Sequence, residues 1–172
     1  MSSSHRRTRF GWAGVVLALL TLVFLRLYVL QVARAAGMAM APTIVDQDRL
    51  VVDKLTYRFA DPHAGDIVMM RYPLNPDRRF VMRVIVGEND RVELRAGRVY
   101  VNDQPIDDSY VASEARSHDN WGPHVVPRGH YFVLGDRRNN ASDSRHWGFV
   151  PRPYITGRVA SRWWPMTTAR KF

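Results

Sequence analysis

Residues 91–101 read RVELRAGRVYV: two alternating apolar-polar runs, Val92-Glu93-Leu94 and Val99-Tyr100-Val101, on either side of Ala96-Gly97. A period of two around a glycine-bearing turn is the pattern of a β-hairpin, because successive strand side chains point to opposite faces and glycine admits the positive φ of a tight turn. The same pattern extends in both directions. Short apolar runs at 49–53, 66–72, 80–86, 130–134 and 155–163 are broken by Gly, Pro, Asn and Asp, with turn residues at 64–66 and 87–90. Beyond residue 32 no window sustains a helical period. The spacing predicts a mainly β domain, a barrel or sandwich, with the loop at 107–127 as its least ordered part.

Upstream, residues 10–25 form a charge-free apolar run behind the basic cluster His5, Arg6, Arg7 and Arg9. At about 1.5 Å per residue that run spans roughly 24 Å, short of a ~30 Å hydrocarbon core, and extension to residue 32 closes the gap. Arg26 near that end can snorkel to the interface, where Tyr28 is an aromatic of the kind found there. The pattern predicts one transmembrane helix at 10–32. By the positive-inside rule residues 1–9 are then a basic cytoplasmic tail, and residues 37–172 an extracytoplasmic domain on the cell membrane. Ala33-Arg34-Ala35 also has the small-x-small form of a secretory cleavage site, but the apolar run is longer than a usual signal core; both readings export the domain.

The chain has 172 residues, 46% of them hydrophobic, which suits one domain with a real core plus the anchor. Its net charge is +9, yet five arginines and no acid precede residue 37, leaving 20 basic against 16 acidic residues afterwards. A nucleic-acid binder concentrates its basic residues on one face or helix, whereas these are interspersed with Asp and Glu, so no nucleic-acid partner is expected. With no cysteine there is neither a disulfide nor a thiol nucleophile. Lys54 and Lys171 are the only lysines, which limits where a reactive amine could come from. His118, His124 and His130 are regularly spaced but match no ligand motif, so neither metal nor cofactor is expected.

Three further stretches carry more than a strand pattern: GMAMAPTI at 37–44, FVMRVIVG at 80–87 and LGDRRNNASDSRHWGFVP at 134–151. Together they resemble the three signature boxes of the type I signal peptidases. Matches at Leu50-Val51-Val52-Asp53-Lys54, Gly65-Asp66-Ile67-Val68, Val99-Tyr100-Val101-Asn102 and Trp163-Trp164-Pro165 extend the resemblance over residues 32–165. It implies a signal-peptidase-like β barrel or sandwich behind one N-terminal membrane helix, and signal peptides of exported pre-proteins as partners. In that family the first box holds a nucleophilic Ser and the second a Lys that acts as general base; those positions are Ala39 and Met82. A third position, a Ser that orients the Lys, is Ala141, and a family Asn is Arg137. A Ser-Lys protease needs a hydroxyl beside an amine that burial keeps neutral. Ala and Met can be neither.

The other box residues keep the family types. The resemblance makes Gly37, Met38, Met40, Pro42, Val81 and Arg83 candidates for the substrate groove, and Asp136, Arg138, Asp143, Ser144 and Arg145 a structural frame held by acid-Arg pairs. Ser144 and His146, two apart on what reads as a strand, face one side without being placed for proton transfer, and Lys54 reads as structural. Loss of nucleophile and base together costs on the order of 10⁶ in turnover, about 8 kcal/mol, which no single neighbour restores. The expectation is a proteolytically inactive homologue that engages signal peptides or an active signal peptidase. The alternatives are an active signal peptidase with an unrecognised nucleophile, or a tethered β domain whose groove is blocked by Met38, Met40 and Met82.

Overall fold

The computed structural model describes residues 5–24 and 29–172, with side chains from Trp12 to Val23 and from residue 29 onward. After a helix α1, His5–Phe24, the chain is β almost throughout. Its strands are β1 Leu30–Arg34, β2 Arg49–Asp53, β3 Ile67–Tyr72, β4 Asn75–Val86, β5 Arg91–Arg95, β6 Arg98–Val101, β7 Gln104–Pro105, β8 Trp121–Val125, β9 His130–Leu134, β10 Val150–Pro151, β11 Ile155–Trp164 and β12 Arg170–Lys171. Two single helical turns, α2 Thr56–Phe59 and α3 Ser144–Trp147, interrupt them. All pairings are antiparallel.

The large sheet runs β1-β2-β11-β3-β4-β9-β10, with β12 attached to β11, and the small sheet runs β7-β6-β5-β8. β3 shows why the large sheet sits at the centre. Val68 and Met70 enter one apolar cluster with Met82, Val84 and Val133, while Ile67 and Met69 enter another with Leu50, Val52 and Val159. A strand buried on both faces loses the polar alternation of an exposed one, which explains the continuous IVMM run. A third cluster, built on Val92, Leu94, Val99, Phe132 and Leu134, joins the two sheets.

The hairpin at 91–101 forms as its sequence predicts, with Leu94 opposite Val99 and Val92 opposite Val101. Ala96 and Gly97 both have positive φ, 47° and 77°, the two-residue turn whose twist matches its strands. Gly97 is also required sterically, since a Cβ there would lie 1.8 Å from the Ser117 carbonyl oxygen. β2, β6 and β9 begin and end where the apolar runs do. The loop expected at 107–127 contains β8, whose Gly122, Pro123 and His124 hide the alternation; Trp121 packs on Phe132 with ring centroids 4.6 Å apart.

The expected transmembrane helix is corrected at its end. Leu30, Gln31 and Val32 belong to β1, paired with Asp53, Val52 and Val51 of β2. An apolar run at a sheet edge continues an apolar helix without a break in composition, so sequence alone joins the two. Among the described residues no helix is long and apolar enough to cross a membrane, α1 carrying Arg6, Arg7 and Arg9 in its opening turns. Residues 1–4 of the expected tail and 25–28 of the expected helix lie outside the described residues.

Asp53 closes β2 and starts α2. Its carboxylate accepts from Leu55 N (2.7 Å), Thr56 N (3.1 Å) and Thr56 Oγ1. Burial pulls its pKa upward, but these three bonds outweigh it and hold the carboxyl below its ordinary value. Because the folded value is depressed, the stabilisation is complete above the unfolded pKa of about 3.9 and is lost as pH falls through the folded value. Asp53→Ala is expected to cost about 1 kcal/mol in urea unfolding at neutral pH, as loss of a capping carboxylate does, with the difference from the parent shrinking below roughly pH 4.

Candidate functional site

The site is built on three segments that meet at the centre of the large sheet. The first, 37–44, is a compact turn: Gly37 N donates to Asp46 Oδ1 (2.8 Å), Ala41 N to the Met38 carbonyl (3.0 Å) and Ile44 N to the Met40 carbonyl (2.9 Å). Buried Met40 and Ile44 peg it to the sheet, and Ala39 is left packing against the cluster that contains Met82. The second is β4, where Met82, 2% exposed, pairs opposite Val68. The third follows β9, where the Arg137 N–H donates to the Ala39 carbonyl at 2.9 Å. Gly135 makes the closest approach: a Cβ there would lie 2.5 Å from both the Ala141 Cβ and the Ala39 oxygen. Ala39, Met82 and Ala141, distant in sequence, therefore share one small region. None of the three carries a group that can take or give a proton.

A groove of about 360 Å³ opens over this region, walled by residues 33–37 on one side and 79–82 on the other. Both walls present strand edges. β1 pairs only with β2, and β4 pairs with β9 only from Arg83 onward, so residues 79–82 and 30–34 each have an edge without a strand partner among the described residues. Such an edge can take an added peptide strand through main-chain hydrogen bonds. Of the groove residues expected from sequence, Gly37, Met40 and Val81 line it, together with Ala39 and Met82. Met38 is exposed and stands apart; Pro42 and Arg83 line a separate hollow with Tyr110 and Phe172. Sequence reading did not single out Ala35, Arg79, Phe80 or Ser142, all of which line the groove; for Phe80 and Ser142 the available signal was membership of the second and third boxes.

The polar frame closes around the site in two buried ion pairs. Arg83 grips Asp136 bidentately, Nε to Oδ1 at 2.8 Å and Nη2 to Oδ2 at 2.7 Å, and stacks over the Tyr110 ring at 4.0 Å. Arg145 holds Asp143 the same way, both bonds at 2.8 Å, and also donates to Asp119 and to the Arg138 carbonyl. Burial alone would lower both arginine pKa values, but the Asp136 and Asp143 partners outweigh it and raise them. Asp143 further accepts from Gly135 N (3.2 Å) and caps α3. Ser144 Oγ accepts from Val133 N at 3.1 Å.

The extended segment expected at Ser144 and His146 is instead the helical turn α3, which separates residues two apart by roughly 200° around the axis. Ser144 is buried and His146 largely exposed, so they form no pair. The chain reads as helix here because Asp143 caps it, a signal hidden among the box residues. Among the described residues no group of His, Asp and Glu is placed to hold a metal ion.

Residues 8–164 match the family described as signal peptidase, peptidase S26. Relatives include a signal peptidase I of Leptolyngbya laminosa, 38% identical over 89% of this chain and 76% of its own length. Another, from Bacillus caldolyticus, is 32% identical over 93% and 92% of the two chains. A crystal structure of a signal peptidase I from Enterococcus faecalis V583 superposes with a TM-score of 0.52 at 27% identity, covering 58% of this chain and 97% of that one.

Breaking a buried ion pair leaves an uncompensated charge, at a typical cost of 3–5 kcal/mol, whereas an exposed pair contributes roughly 0–1 kcal/mol. Asp136→Ala is therefore expected to destabilise by about 3–5 kcal/mol in denaturant unfolding and Arg91→Ala, whose pairs are exposed, by no more than about 1 kcal/mol.

Proposed function

From the premise that this chain belongs to the signal peptidase family, peptidase S26, we propose that it holds the segment of an exported pre-protein that precedes the cleavage site, and does not cut it. The observation that carries this reading is that Ala39 and Met82 line an open groove, with Ala141 meeting Ala39 across Gly135, inside a frame whose Arg83–Asp136 and Arg145–Asp143 pairs are intact. Nucleophile, base and base-orienting hydroxyl serve one proton transfer, and all three positions have become groups that cannot perform it. The groove does not depend on them. Main-chain bonding to a peptide strand needs only unpaired edges and shallow apolar walls, and both are present. The apolar run in α1 is the anchor in this reading, with the N-terminus cytoplasmic and the β domain outside. An active signal peptidase sharing the same pre-proteins is a second partner.

One observation favours an active enzyme instead: Ser142 lines the same groove as Ala39. It is the only hydroxyl residue in the lining, but the lining offers neither Lys nor His to take its proton. Both readings meet in one assay, cleavage of a labelled pre-protein by the full-length, detergent-solubilised protein and by an Ala39→Ser, Met82→Lys, Ala141→Ser triple variant. The parent is expected to be silent and the variant to cut after a small-x-small site, with a rate gain of up to about 10⁶. Parent cleavage abolished by Ser142→Ala would overturn the non-cutting reading.

A further inference from the structure

The groove over Ala39 and Met82 is walled mainly by apolar residues, and its lining contains two charged side chains, Arg34 and Arg79, and no acid. The two arginines differ in their surroundings. Arg34 falls with Leu30 and Val32 on the exposed face of β1, while Gln31 and Ala33 alternate with them on the half-buried face. It also has a carboxylate nearby: hydrogen bonds from Gln47 and Gly37, and more weakly the charge of Arg34, hold the Asp46 carboxyl below its ordinary value.

Arg79 is not compensated in this way. It is exposed, and among the described residues it makes no ion pair, not even with Asp77 two positions along β4. Its direction follows from strand alternation. Arg79 shares a face of β4 with Val81, and the residues opposite these two on β3 are Arg71 and Met69. Val81 and Met69 pack with Met40 and Ile44, and all four line the groove. Arg79 therefore stands on the groove face, one step beyond its apolar wall, with Arg71 beside it as a second positive charge. It is also the lining residue of β4 farthest from Met82, and so marks the end of that wall away from Ala39, which packs against the Met82 cluster. Three residues of extended strand separate Arg79 from Met82, about 10 Å.

We propose that Arg79 selects the charge of the bound pre-protein four or five residues before the point that lies over Ala39, favouring Asp or Glu there and disfavouring Lys or Arg. A peptide strand added beside β4 advances by the same distance per residue, so the residue facing Arg79 is about three positions from the one facing Met82. That position lies immediately upstream of the small-x-small segment. A carboxylate there meets the one lining cation that lacks an acid, and an ammonium or guanidinium there meets Arg79 and Arg71 together. The inference rests on the groove being a peptide site, and it adds a charge requirement to a segment otherwise selected by size. An exposed charge pair is weak and screened by salt, so the preference is a few-fold at low ionic strength and fades at high.

The test uses the full-length protein in an uncharged detergent and labelled peptides that share an Ala-Gln-Ala segment. The two residues before that segment are Glu-Glu, Gln-Gln or Lys-Lys; a fourth peptide has Gln-Gln there and carries its Glu pair at the opposite end, beyond the segment. By fluorescence anisotropy at low salt the upstream Glu peptide is expected to bind about 3-fold tighter than the Gln peptide and the Lys peptide about 3-fold weaker, with the fourth peptide close to the Gln one. Arg79→Gln is expected to remove the ranking and Arg79→Glu to invert it, while Arg91→Gln, on the small sheet, leaves it intact. Equal binding of all four peptides to the parent overturns the inference while the groove reading stands. Binding of none removes the groove reading and this inference with it. A ranking that survives Arg79→Gln overturns the assignment to Arg79. Should the Arg79 variants fail to fold, the fourth peptide decides in the parent: a Glu pair equally effective at either end shows attraction to the net charge of the protein alone and overturns the inference, and an effect confined to the upstream pair supports it.

Discussion

The bidentate pair between Arg83 and Asp136 is the constraint on which the site depends. Asp136 is wholly buried, and its partner comes from β4, more than fifty residues earlier in the chain. The bond fixes the strand that carries Met82 against the segment that carries Gly135 and Ala141. The Arg137 N–H then reaches the Ala39 carbonyl and closes the third side. A pair of this kind adds little net stability over an apolar substitute, because desolvation consumes most of the attraction, yet removing one partner is expensive. Its service is therefore to geometry: it permits one arrangement of the two segments.

That geometry is independent of the chemistry at its centre. A buried neutral amine has to be taken out of water and kept deprotonated, a demand that opposes stability. With Met at 82 and Ala at 39 and 141 the floor is apolar and that demand disappears, while Gly135 still leaves room for the Ala39 carbonyl and the Ala141 methyl group. The second buried pair, Arg145 with Asp143, likewise involves none of these three residues.

Most of the β pattern was legible because it is local. Alternation in RVELRAGRVYV specifies a hairpin whatever surrounds it, and the edges of β2, β6 and β9 coincide with turn-forming residues. β1 was not legible, since Leu30–Arg34 continues the apolar composition of the segment before it and its identity as a strand depends on pairing with β2. β8 was hidden by Gly122 and Pro123, and is a strand because β5 supplies its partner. At the site, Gly37, Met40 and Val81 of the boxes line the groove, whereas Pro42 and Arg83 line a different hollow. Which side of a strand or turn opens into a cavity depends on what packs on the opposite side.

By itself the sequence determined the mainly β class, the family, and the absence of a hydroxyl at position 39 and an amine at position 82, because these follow from short-range periodicity and from the chemistry of single side chains. Only the tertiary structure decided that Ala39 and Ala141 come together across Gly135 with Met82 in the same groove, that two strand edges beside them have no strand partner among the described residues, and that Arg83 and Arg145 are paired with acids while buried Arg138 has no ion pair among the described residues. The reason is that ion pairing and burial join residues tens of positions apart. Arg83, Arg138 and Arg145 have the same intrinsic charge, and what distinguishes them is which carboxylate the fold brings within about 3 Å.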